Sequence, residues 1–147
     1  MTEQESASLY QRLGGEQGVH RLVDAFYQIM DSRPDTAGVR ALHPEDMSSS
    51  NQKLFMYFFG WFGGPPLFTD AYGHPRLRAR HLPFKIDVSE RDQWLLCMAG
   101  AFKQIDLDMQ LAEDLWDKIA PMADHMRNQD DPALSCSAEV DSAEKSD

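Results

Sequence analysis

The sequence predicts an all-α domain, and three observations carry that prediction. Apolar residues recur at three- and four-residue steps in four long stretches. Gly14-Gly15 and Gly63-Gly64-Pro65-Pro66 punctuate them as helix stops. No segment alternates at every second residue in the manner of a strand.

Leu9, Tyr10 and Leu13 make a short apolar turn that Gly14-Gly15 ends. From about Glu16 to Ser32, Val19, Leu22, Val23, Phe26, Tyr27 and Met30 fall on one face of a helix. Pro34 follows it, and a short irregular or helical piece, Thr36 to Leu42, leads to His43-Pro44. Ser48-Ser49-Ser50 offers N-cap candidates for a second long helix with Leu54, Tyr57, Phe58 and Trp61 on one face; Gly63-Gly64-Pro65-Pro66 closes it. Residues 67–88 read as a loop, a short turn opening at Pro75 and carrying Arg76 to His81, and an extended Leu82-Pro83-Phe84. A third long helix begins at Ser89, with Ser89 and Asp92 at the spacing of a capping pair and Trp94, Leu95, Met98, Phe102 and Ile105 at helical steps. A fourth runs from about Met109 to Arg127, with Leu111, Leu115, Ile119, Met122 and Met126 on one face.

The chain has 147 residues and divides into one domain, 1–128, and an acidic tail, 129–147, expected to be a disordered, solvated extension. A net charge of −10 argues against nucleic acid or an anionic membrane surface as a partner. The one basic cluster, Arg76, Arg78, Arg80 and Lys85, is too short for a polyanion groove but suits a single small anionic group. Cys97 sits in a helical pattern and Cys136 in the tail, so no structural disulfide is expected and a reducing cytoplasm is the default. The N-terminus carries no apolar signal core, and no apolar run reaches transmembrane length.

No two of the five histidines stand at the spacing by which a helix presents a metal-binding pair, so zinc and di-iron carboxylate sites lack support. His81 differs in its context: it closes a run of arginines and precedes the apolar Leu82-Pro83-Phe84. A haem presents the matching combination of apolar macrocycle, two anionic propionates and an iron that takes a neutral imidazole. With no Cys-x-x-Cys-His, any haem here is not attached in the c-type manner.

The stretch from Gly73 to Phe84, with His74-Pro75-Arg76 and Arg80-His81-Leu82, resembles the proximal segment of group II truncated haemoglobins. Gly14-Gly15, Gly63-Gly64, the Phe26-Tyr27 pair and Glu90-Arg91-Asp92-Gln93-Trp94-Leu95 with Cys97-Met98 are similar to that family in order and spacing, from about Leu9 to Asn128. The resemblance implies a truncated globin, a two-over-two helical sandwich around haem b. It makes His81 the iron ligand, Tyr27, His43 and Trp94 the distal residues, and Arg80 with Arg78 the propionate partners. Leu54, Leu77, Phe84, Trp94 and Met98 are the expected apolar contacts. Phe68 falls where many relatives have a tyrosine whose hydroxyl reaches a propionate, so anchoring should rest more on arginine.

Three donors around one ligand favour slow oxygen release over bulk transport. CO, NO and peroxide are further expected ligands, with a reductase as a possible partner. Peroxidase-like or nitric oxide dioxygenase chemistry is open to the same set, with His43 as acid or base. The alternative is a six-coordinate electron-transfer or redox-sensor protein with His43 or Tyr27 on the iron.

Overall fold

The computed structural model describes residues 8–128, apart from the side chain of Arg78. The tail from residue 129 onward lies outside the described residues. The described chain is helical throughout, with no strand among its elements.

The first helix, α1 (Leu9–Leu13), is too short to persist alone and is held from both ends. A capping box opens it: the Ser8 hydroxyl accepts from the Gln11 N–H at 3.1 Å, and the Gln11 side chain accepts from the Ser8 N–H at 3.0 Å. Gly14, at φ 113°, closes it in the left-handed region that a side chain would resist. The long helix α2 (Gly15–Ser32) follows at once and buries Val19, Leu22, Val23, Phe26, Tyr27 and Met30, the face that periodicity predicts. A 3₁₀ turn (Pro34–Thr36) ends it. Thr36 is fully buried there, its hydroxyl within 3.2 Å of the Met30 carbonyl and 3.1 Å of the Arg33 carbonyl.

The short helix α3 (Ala37–Arg40) and the second long helix α4 (Ser48–Trp61) come next. None of the serines caps α4. The Asp46 carboxylate does so instead, accepting from the Ser48 N–H at 3.0 Å, because a carboxylate two residues upstream meets the first free N–H directly. The helix serves two clients: Phe55, Phe58 and Phe59 are buried in the core, while half-buried Leu54 and Tyr57 face a cavity.

Residues 67–88 depart most from the sequence reading. Leu67–Tyr72 forms a helix, α5, and Leu77–His81 a second, α6. Leu82 to Phe84 is a turn rather than extended, with the Phe84 N–H donating to the His81 carbonyl at 3.0 Å. Both short helices lack strong local periodicity, and contacts outside them decide their conformation.

Helix α7 (Val88–Gln104) starts one residue earlier than expected, and its box is Asp87 with Glu90 rather than Ser89 with Asp92. Helix α8 (Met109–His125) is capped by Asp108 and buries Leu111, Leu115, Ile119 and Ala123. The α2/α4 pair packs on the α7/α8 pair, chiefly along α2 against α7. This is a two-over-two helical sandwich. Arg12 ties α1 to Asp114 of α8 at 2.8 Å. No described helix is long and apolar enough to cross a membrane.

Gly18 marks the tightest contact between α1 and α2. A Cβ built there would lie 2.0 Å from the Leu13 carbonyl oxygen, a backbone atom that cannot swing away. Gly18→Ala is therefore expected to destabilise the domain by about 2–3 kcal/mol, read as a lowered denaturant midpoint with unchanged slope.

Candidate functional site

A cavity of about 390 Å³ opens between α4, α6, α7 and α8, within the range of roughly 300–1,000 Å³ usual for ligand and cofactor pockets. Tyr27, His43, Leu54, Leu77, Arg80, His81, Phe84 and Trp94 all line it, so eight of the ten residues singled out from sequence meet in one space. Met98 is not among its walls; it is fully buried in the core. The side chain of Arg78 lies outside the described residues. The interior is apolar and aromatic, with Tyr57, Phe68, Ile86, Met122 and Met126 completing it. Pro44, Lys53, Arg80 and Phe84 are exposed, which places two cations at the mouth. The Arg80 guanidinium lies 5.4 Å from the centre of the Phe68 ring. Phe68 is thus a buried wall that carries no hydroxyl.

His81 closes α6, and its Nδ1 lies 2.7 Å from the Leu77 carbonyl oxygen. A carbonyl can only accept, so Nδ1 carries the proton and Nε2 keeps a lone pair for the cavity. His43 repeats the device: its Nδ1 donates to the Val39 carbonyl at 2.9 Å. Its single ring proton is therefore spent on the backbone, and Nε2 accepts rather than donates. This changes the donor count expected from sequence, because a neutral His43 offers the cavity a base and not an N–H.

Burial holds the His43 imidazole below its usual pKa, the positive charge of Arg40 pushes the same way, and the bond to Val39 opposes them. Burial also drives the Tyr27 phenol well above its ordinary value, so its proton stays on. That hydroxyl donates to the Ser50 carbonyl over a long 3.3 Å. Trp94 brings an indole N–H that can only donate.

Phe26, with no exposed surface, spaces these groups. Its ring meets Trp94 edge-on at 4.9 Å and Tyr27 edge-on at 4.9 Å, and Tyr27 in turn meets His43 at 5.9 Å. Gln93 of α7 accepts from the Val39 N–H at 2.8 Å and fixes α3 under His43.

Asn128 holds the other wall, a role that nothing in its local sequence signals. Its Nδ2 donates to the carbonyls of Phe84 at 2.8 Å and His81 at 3.1 Å. Its Oδ1 accepts from the Ile86 N–H at 3.0 Å, and its own N–H donates to the Ile86 carbonyl at 2.8 Å. Only closure of the fold brings it beside a loop some forty residues away.

An apolar slot with a cationic mouth and an imidazole lone pair, enclosed by a two-over-two helical shell, defines a globin-type cofactor pocket. Residues 8–128 match the model of the bacterial-like globin family. Group 2 truncated hemoglobin YjbI of Bacillus subtilis is 38% identical over 115 residues, which cover 78% of this chain and 85% of that protein. The group II 2-on-2 hemoglobin of Agrobacterium tumefaciens superposes with a TM-score of 0.83 at 40% identity, covering 88% of this chain and all (100%) of that one. The truncated oxygen-avid haemoglobin from Bacillus subtilis does so with a TM-score of 0.77 at 36% identity, covering 83% of this chain and 100% of that one. The chain belongs to the bacterial-like globin family and, within it, to the group II truncated haemoglobins. It is a haem-binding, oxygen-binding globin.

Two measurements check the site. Asn128→Ala leaves the His81–Ile86 loop without its side-chain bonds and is expected to accelerate haem loss at least about tenfold, read by transfer to an apo-globin acceptor, as suits loss of roughly 1.4 kcal/mol or more. For His43, the unfolded chain takes up the proton first, since the folded pKa lies below the usual 6.5. Stability from this source is complete above that value and is lost as pH falls from there through the folded pKa. Wild type should thus lose more stability than His43→Phe between about pH 7 and pH 5, measured by denaturant unfolding.

Proposed function

We propose that the cavity would hold haem b without covalent attachment, with Nε2 of His81 as the nitrogen that would bind its iron. The observation that carries this reading is the 2.7 Å bond from His81 Nδ1 to the Leu77 carbonyl, which sets the tautomer and the ring orientation that a ligating imidazole needs. Arg80, with Arg78 by its place in the sequence, pairs with the propionates. Leu54, Leu77, Phe84 and Trp94 pack against the macrocycle, and Met98 supports that wall from the core behind it.

Haem held here would supply the iron that takes up oxygen, with negative charge shifted onto the ligand. Tyr27 and Trp94 bring the two donors to that space. Tyr27 reaches it by giving up its long bond to the Ser50 carbonyl, which costs little. A buried donor to a charged acceptor is worth about 1.5–3 kcal/mol, or roughly ten- to hundredfold in dissociation rate. Slow release suits capture, sensing or redox work better than bulk transport, and the similar protein of Bacillus subtilis is described as oxygen-avid. CO and NO take the same position. His43 Nε2 is the group that would remove a proton from hydrogen peroxide, and a reductase would return the iron to its ferrous state. A cytoplasmic place of work is part of this reading, in keeping with the free, buried Cys97 thiol.

A second reading rests on one observation: His43 lines the same cavity with its Nδ1 committed to the Val39 carbonyl, which leaves Nε2 as the nitrogen available to be a sixth ligand. Tyr27 is the weaker candidate for that place, because burial holds its proton. A six-coordinate ferrous spectrum without added ligand favours this second reading; a five-coordinate one that takes up CO at once favours the first.

His81→Ala is expected to abolish stable haem retention, seen as loss of the Soret band through gel filtration. Tyr27→Phe and Trp94→Phe should each speed oxygen release by about tenfold or more in stopped-flow displacement by CO. Unchanged rates in both variants would overturn the donor assignment.

A further inference from the structure

Phe68 and Tyr72 stand one helical turn apart on α5, and their ring centres lie 4.9 Å from one another. Phe68 is a buried wall of the cavity, while Tyr72 is 44% exposed. Two touching rings thus lead from the cavity to solvent. Of the four tyrosines, Tyr72 alone is exposed: Tyr10 and Tyr57 are half-buried and Tyr27 is buried. Tyr72 is not a wall of the cavity and has no part in holding a cofactor there.

The surroundings decide which ring can give up an electron. A phenol is far easier to oxidise than a benzene ring, so Phe68 is a contact and not a stopping place. The Lys53 ammonium lies 5.6 Å from the centre of the Tyr72 ring, and the Arg80 guanidinium 5.4 Å from that of Phe68. These cations disfavour a positive charge left on either ring, so the electron must leave together with the phenol proton. An exposed hydroxyl passes that proton to water. Tyr27 and Tyr57 line the cavity, but burial raises the pKa of both, and the Tyr27 hydroxyl faces a peptide carbonyl, a very weak base.

We propose that Tyr72 is a surface oxidation site, the place where a phenolic reductant too large for the cavity is oxidised at the expense of hydrogen peroxide. The inference rests on the reading that the cavity takes up peroxide. Hydrogen peroxide accepts two electrons and two protons and becomes two molecules of water. Each electron leaves Tyr72 across Phe68; the Tyr72 O–H bond breaks, and solvent takes its proton and returns one to the cavity. A phenol then gives a hydrogen atom to the Tyr72 oxygen and becomes a phenoxyl radical, which restores the side chain for the second electron. Without a phenol, oxidised Tyr72 side chains of two chains couple through their ring carbons. One peroxide and two tyrosines then yield one carbon–carbon bond and two waters.

The haem-loaded, full-length protein is treated with hydrogen peroxide in the absence of phenol and analysed by denaturing gel and peptide mass spectrometry. The expected product is a covalent dimer joined Tyr72 to Tyr72. It should be lost in Tyr72→Phe, which keeps its Soret band, and in wild type without haem. A nitroso spin trap should label Tyr72 and suppress the dimer. Phenol tethered to polyethylene glycol should suppress it too, and should be oxidised by wild type but not by Tyr72→Phe. Adducts on Tyr10, Tyr57 or Trp61 in place of Tyr72, or a Tyr72→Phe protein that dimerises as wild type does, would overturn the assignment. Peroxide consumption in the same samples separates the two readings. Peroxide consumed with no Tyr72 product sinks the surface site alone; peroxide left intact sinks the peroxide reading and the surface site with it.

Discussion

The whole structure answers to one constraint: a domain of this size must keep a space of about 390 Å³ open in its middle. Helices left to themselves would close it, since every wall atom beside a void forfeits its dispersion contacts. The walls are braced from behind instead. Phe26 wedges Trp94 apart from Tyr27, Gln93 pins α3 to α7, and Asn128 ties the α6–α7 loop to the end of the chain. Arg91, itself a wall, is held by Asp92 at 2.9 Å and by Asp124. Such a shell gains stability from any group that fills it, so cofactor affinity and folding stability are linked.

The two cavity histidines obey a single rule. Each donates its Nδ1 proton to the carbonyl four residues earlier, Val39 for His43 and Leu77 for His81. Each of these carbonyls lies in a short helix and accepts from the imidazole one turn later; the Val39 carbonyl also accepts from the Leu42 N–H at 3.1 Å. The tautomer is thereby set by backbone geometry before any ligand arrives. Two imidazoles that line one cavity thus keep Nε2 clear of these backbone bonds. The five-coordinate and six-coordinate readings differ only in whether both lone pairs reach the iron.

Charge is arranged against the overall balance of the chain. A protein of net charge −10 gathers Lys53, Arg76, Arg80 and Lys85 about the cavity mouth and the loop beside it. Arg80 is steadied by the face of Phe68, which has no hydroxyl to share the task of binding an anion.

The sequence by itself determined the long helices, their buried faces and most of the residues that meet in the cavity, because helical periodicity and the motif around His81 are local. It determined the family as well, through spacing that extends over the whole domain. Tertiary structure decided what depends on distant partners. Helices α5 and α6 are too short to be read from their own residues, and the start of α4 follows from which side chain wins the free N–H, Asp46 over the serines. Met98 follows the helical period like a cavity residue but turns into the core, since periodicity gives a face and not what lies opposite it. The role of Asn128, the wedge at Phe26 and the acceptor state of His43 rest on contacts that exist only once the chain has closed, and no local pattern encodes them.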